Sequence, residues 1–194
     1  MDMGKVEQLR DEVIGLRPVY CEIGNATELL LKDGTIILDK RTLNSVVKAL
    51  AAAYAVNLKA QRKHLQEKLD RKGILPFYLG DGRVFIPLKM RQAVTANDAV
   101  YGYIDLNYMT EPRPQTGKEC AIELINGIKL QVLSGQSTVL GVQHTGTVVR
   151  SLLQPDKPKD VIEELIIQAV HAVVNTLTDQ HRQLRRIEEK LDRR

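Results

Sequence analysis

Three tight-turn signatures constrain what this chain can fold into. Lys32-Asp33-Gly34 separates Glu28–Leu31 from Thr35–Leu38. Gly80-Asp81-Gly82 separates Ile74–Leu79 from Arg83–Leu88, and Asn126-Gly127 separates Cys120–Ile125 from Ile128–Leu133. Asp-Gly and Asn-Gly readily adopt the left-handed backbone of two-residue hairpin turns, whose twist matches the flanking strands. A chain punctuated in this way builds an antiparallel sheet. Val19–Ile23 alternates apolar and polar residues after Pro18 and reads as an edge strand. Ala99–Met109 contains an alternating strand, Glu111–Lys118 is a Pro- and Gly-containing loop, and Thr138–Gln143 reads as one more short strand.

The helical signals lie elsewhere. Leu43, Val47, Leu50, Tyr54, Leu58, Leu65 and Leu69 recur at three-, four- or seven-residue steps, with a gap near Gln61. Residues 42–70 therefore read as one long helix, either continuous or broken, with the high-propensity run Ala51-Ala52-Ala53 in its buried half and Gly73 closing it. Thr147–Leu153 looks helical. Pro155 and Pro158 bracket a linker, and 159–193 reads as a long helix whose Val170, Val173, Leu177, Leu184, Ile187 and Leu191, with the polar Gln180, alternate steps of three and four. The expected fold class is α+β: a mostly antiparallel sheet of hairpins packed on a central helix, plus a long C-terminal helix. The expected domains are 1–154 and 159–194.

Charge is distributed unevenly. The chain of 194 residues carries a net charge of +4, yet residues 41–91 hold eleven Lys/Arg against three Asp/Glu. Between Lys59 and Lys72 there are six basic and two acidic residues. A helix that is merely soluble mixes Lys with Glu, because opposite charges at i, i+4 support it. Like charges at this density repel unless an anion relieves them, and a concentrated basic patch speeds encounter with polyanions. Lys59, Arg62, Lys63, Arg71 and Lys72 are accordingly the expected phosphate contacts, which fix position and not sequence. Arg83, Lys89 and Arg91 sit on or just past the second hairpin. They read equally as protection of a strand edge or as closer contacts in a narrow, negative minor groove. Tyr101 and Tyr103 share a strand face with Asp105, so cross-strand packing is favoured over base stacking.

Nothing in the sequence argues for catalysis. Cys21 and Cys120 lie on expected strands outside any local nucleophile signature, and His64, His144, His171 and His181 show no paired metal-ligand spacing. No Gly-rich phosphate loop joins a strand to a helix. No catalytic residue, metal or cofactor is expected. Two distant cysteines form no disulfide framework, Met1–Arg10 is polar and charged, and no apolar run spans a bilayer, so a cytoplasmic protein is expected.

From about Ala51 to Leu152 the order of segments resembles the ComK-type competence transcription factors. The matching pieces are Tyr54-Ala55 followed by basic residues, the Ile74-Leu75-Pro76 strand, and Val84-Phe85-Ile86-Pro87 after a polar turn. The aromatic Tyr101-Gly102-Tyr103-Ile104 strand follows, with Tyr103 where the family often has Trp, then the hairpin Leu124–Leu130 and the stretch from Ser134 to Arg150. The resemblance covers about half the chain, and order and spacing carry it. It implies a sequence-specific transcription activator that binds AT-rich double-stranded DNA, largely through the minor groove, as an oligomer. It adds Arg150 to the candidate DNA contacts. The expected function is transcriptional regulation as a DNA-bound homodimer or higher oligomer joined through the 159–194 helix, with a regulatory adaptor protein as a further candidate partner. The alternative is a protein-interaction or assembly module that uses the C-terminal helix and leaves the basic segment as a solvated face.

Overall fold

A computed structural model describes residues 6–22, 24–96 and 98–154. The expected linker at Pro155–Pro158, the helix of 159–194 and its Val170–Leu191 stripe lie outside the described residues. Within them the chain is α+β. Its first three strands are β1 (Val13–Cys21), β2 (Gly24–Leu31) and β3 (Ile36–Asp39), followed by helices α1 (Leu43–Ala53) and α2 (Leu58–Leu69). Then come β4 (Phe77–Gly80), β5 (Arg83–Lys89), β6 (Tyr101–Asp105), a 3-10 turn at Leu106–Tyr108, β7 (Arg113–Pro114), β8 (Cys120–Glu123), β9 (Lys129–Val132) and α3 (Gln136–Leu153).

Six strands form one antiparallel sheet in the order β3-β2-β1-β6-β5-β4, and β7-β8-β9 form a second. The three turn signatures sit where the sequence places hairpins. Gly80 pairs with Arg83, leaving Asp81 and Gly82 as a two-residue turn with φ of 48° and 73°. Both values lie in the left-handed region that the primed hairpin turns demand. Gly127, at φ 87°, does the same for β8 and β9.

The two faces of the large sheet bury different partners. Leu16, Leu29, Leu31, Phe77 and Phe85 pack with Leu43, Val46, Val47 and Leu50 of α1. Ile14, Leu30, Val84, Ile86 and Ile104 pack with Ile122, Leu130 and Val132 of the small sheet and with Val139 and Val149 of α3. On α3, Val139, Val142, Gly146 and Val149 recur at steps of three and four, the helical stripe that meets β5. Thr138–Gln143 is therefore the first half of this helix and not a strand. A run of six residues is too short for alternation to be told from helical periodicity. Gly146 lets α3 approach, since a Cβ there would stand 2.5 Å from Ile86 Cγ2.

Residues 42–70 form two helices. The chain leaves α1 at Tyr54, and Ala55 turns with φ 55°. Asn57 then opens α2, its side-chain oxygen accepting from Ala60 N–H at 3.1 Å. The break falls before Leu58 and not at the periodicity gap near Gln61, because Asn at an N-cap satisfies an amide that a continuous helix would have bonded already. Asp70, at φ 47°, ends α2 with its N–H on Gln66 O, three residues before the expected stop at Gly73.

β1 begins at Val13, six residues before the expected edge strand, and lies inside the sheet. Pro18 is tolerated there because β6 pairs with β1 only at Gly15 and Leu16. Beyond Leu16 that side of β1 has no β6 partner, so a missing N–H there breaks no ladder. The β4 edge of the sheet is covered by a side chain. Gln61 of α2 donates from Nε2 to Tyr78 O at 2.9 Å and accepts at Oε1 from Tyr78 N–H at 2.8 Å. One amide thus completes a rung of β4 and fastens α2 alongside it.

Candidate nucleic-acid interface

The geometry of α2 follows from that fastening. Leu65 is buried, while Leu58, Gln61 and Leu69 are half-buried beside it, so the opposite face must meet solvent. That face carries Lys59 and Lys63, one helical turn apart, with Arg62 beside them, while Lys68 lies on the far flank of the helix; all are exposed. Arg71 and Lys72 follow in the turn after Asp70 and are exposed as well. Among the described residues none of these six cations forms a salt bridge. Arg62 donates from Nη2 to Gly73 O at 3.0 Å, and Arg71 donates from Nη1 to Thr145 Oγ1 of α3 at 3.1 Å. Both bonds orient a guanidinium without neutralising it.

Lys89 belongs to the same side of the molecule. Hollows of about 310, 320 and 220 Å³ share Ile74 as a common wall. Arg62 borders the first, Arg71 and Lys72 the second, and Lys89 the third. Ile74, 48% exposed, stands at the centre of this basic rim. The hollows thus link Arg62, Arg71, Lys72 and Lys89, and Lys59 and Lys63 lie next to Arg62 on α2. His144, which borders another hollow with Arg71, joins this surface without having been singled out in the sequence, since no local signal ties it to Arg71.

Arg83 and Arg91 do something else. Arg83 donates from Nε to Asp105 Oδ2 at 2.9 Å, and its side chain is 14% exposed against a fully buried Asp105. Its other nitrogens bond the carbonyls of Val13 and Arg10 and the Tyr54 hydroxyl, and the guanidinium lies over the rings of Tyr54 and Phe85. Burial pushes the Asp105 carboxyl above its ordinary range, against the pull of Arg83. Four of the five N–H groups of Arg83 are spent inside the protein, which corrects its reading as a groove contact. Arg91 donates to Ala99 O and Asn25 Oδ1, both at 2.6 Å, and lies 4.0 Å over the Tyr20 ring. It clamps the chain after β5 to the β1–β2 hairpin and is likewise a structural residue. Arg150 bonds Asn107 Oδ1 at 2.9 Å and touches the Gly82 turn. That places it at the far end of β5 from Lys89, roughly 20 Å away at ~3.3 Å per strand residue. It lines none of the three Ile74 hollows.

Asp98 organises the loop that Arg91 clamps. Its carboxylate accepts from the Tyr20 hydroxyl, from Asn25 Nδ2 at 2.9 Å, and from the amides of Val94 and Thr95 at 2.9 and 2.6 Å. The Tyr20 bond first, and then the others, hold its carboxyl well below the usual carboxylate range. A group depressed on folding stabilises the native state above its unfolded value of about 3.9, and that contribution is lost as pH falls through the folded value. The Thr95 amide shift in NMR should therefore titrate with a midpoint well below about 3.9. A midpoint at the ordinary Asp value would show the carboxylate to be unbonded in solution.

No cluster of His, Cys, Asp and Glu that could hold a metal occurs among the described residues, and none of their helices is long and apolar enough to cross a membrane. Cys21 and Cys120 are free thiols, with burial pushing the Cys120 thiol up. No protein-family model, curated protein or solved structure matches the chain.

Proposed function

We propose that this chain is a transcriptional regulator that binds double-stranded DNA through α2 and the turn that follows it. The supporting observation is the run of six exposed cations from Lys59 to Lys72, none in a salt bridge among the described residues. Lys59, Arg62 and Lys63, unneutralised and within about 100° of one another around α2, suit the evenly spaced phosphates of a duplex. Lys89 extends that surface across the Ile74 hollows. The resemblance to ComK-type factors supports a preference for AT-rich sites, and the heptad-spaced apolar stripe of 159–194 supports pairing of two chains. Since Arg83 and Arg91 are engaged internally, any minor-groove reading falls to groups other than these two.

The test is the salt dependence of duplex affinity. Each phosphate neutralised contributes a slope of about −0.9 in log K against log salt. With about five contacts the slope should lie near roughly −4 to −5 for AT-rich and mixed duplexes alike, with the AT-rich duplex bound more tightly. A slope near zero, or no binding at low salt, would leave the assembly-module reading in its place.

A further inference from the structure

The hollow between α1 and α2 has a composition that duplex binding does not account for. Its floor is apolar, built from Val47 of α1, Leu58 of α2, Leu75 on the approach to β4 and Phe77 at its start. Its charged rim carries Lys48 and Arg62, with no acidic residue in the lining. Neither cation forms a salt bridge among the described residues.

Tyr103 of β6 contributes the third polar group. Its ring packs edge-on against Phe77 with centroids 5.0 Å apart, and the residue is half-buried in the wall. No hydrogen bond of its hydroxyl is found among the described residues. Burial pushes the phenol up while the nearby Arg62 charge pulls it down, so hydroxyl and guanidinium sense each other across the hollow. Asn44 and Gln61 are the other polar wall residues, and Gln61 has both ends of its amide committed to Tyr78 and offers a ligand little. A volume of about 310 Å³ falls at the lower end of small-molecule sites, which are mostly apolar with a few convergent polar groups.

We propose that this hollow binds a small amphipathic carboxylate, with its hydrocarbon body on the Val47–Leu58–Leu75–Phe77 floor and its anionic head held by Lys48, Arg62 and the Tyr103 hydroxyl. Charge complementarity selects the sign of the ligand. Two cations over an apolar floor favour an anion and repel a cation of the same shape, and a neutral body alone would leave both charges facing it unpaired. The free nitrogens of Arg62 can take a carboxylate while Nη2 stays on Gly73 O.

Octanoate is the probe, titrated into the full chain without DNA and followed by NMR or calorimetry, with octanol and octylammonium as matched controls. Octanoate should bind at one site and perturb Tyr103 and residues of both helices. Octylammonium should bind at least about tenfold more weakly, a difference of about 1.4 kcal/mol. The double variant Lys48→Gln, Arg62→Gln should weaken octanoate by about tenfold or more, and Tyr103→Phe, which keeps the packing on Phe77, by a few-fold. Equal binding of all three probes, octanoate binding that ignores both variants, or no binding at millimolar octanoate would each overturn the proposal. Because DNA is absent, failure here says nothing against the duplex interface.

Discussion

Replacing Arg83 with alanine is expected to destabilise the protein by about 3–5 kcal/mol, the loss typical of removing one partner from a buried ion pair. The substitution strands the fully buried Asp105 carboxylate, frees the carbonyls of Val13 and Arg10, and takes a cation from above Tyr54 and Phe85. Arg83 joins β1, the start of β5, the end of β6 and the exit of α1, so the loss is felt by several elements at once. Chemical denaturation with an unchanged m-value is the measurement. The double variant Arg83→Met, Asp105→Leu should recover part of the loss, because it removes both charges and fills the space with apolar atoms. At temperatures where Arg83→Ala remains folded, duplex affinity should match the parent. A variant of parental stability would show that the pair contributes nothing to the native state.

The opposite behaviour is expected when Lys59, Arg62 and Lys63 are changed together to alanine. The folded state should change by no more than about 1 kcal/mol, since the one internal bond lost is that of Arg62 to the exposed Gly73 carbonyl. Relief of repulsion between Lys59 and Lys63, and the high helix propensity of alanine, offset it. Duplex binding should suffer much more: the slope of log K against log salt should fall by about three, roughly one for each cation removed, with affinity falling uniformly across sequences. Fluorescence anisotropy at several salt concentrations gives both quantities. If affinity and slope survive the triple substitution, α2 is not the docking face. The two experiments separate two kinds of arginine that look alike in the sequence.

What the sequence discloses and what it conceals divide along physical lines. The hairpins were legible because turn chemistry is local: Asp81, Gly82 and Gly127 carry their left-handed conformations in their own residue types. The exposure of Lys59, Lys63 and Lys72 was legible too, since uncompensated charges are costly to bury. Arg83 and Arg91 were misread because their partners are remote. Asp105 lies 22 residues from Arg83 and Asn25 lies 66 from Arg91, and no local pattern announces either pairing. The first half of α3 was missed for a related reason. Its helical stripe becomes visible only when Val139, Val142, Gly146 and Val149 are read together, and the sheet that they cover decides the period. The small hollow beside Tyr103 draws on α1, α2, β4 and β6, so no single window of sequence could reveal it.

The paired hydrogen bonds between Gln61 and the Tyr78 backbone have a consequence for association kinetics. A helix pinned at Gln61 to the rim of a sheet is restrained from rolling, so under the proposed duplex binding its lysines would reach the partner already arrayed. Less motional freedom is surrendered at encounter than by a basic tail that must first order itself, and recognition becomes a matter of rigid-body orientation steered by charge.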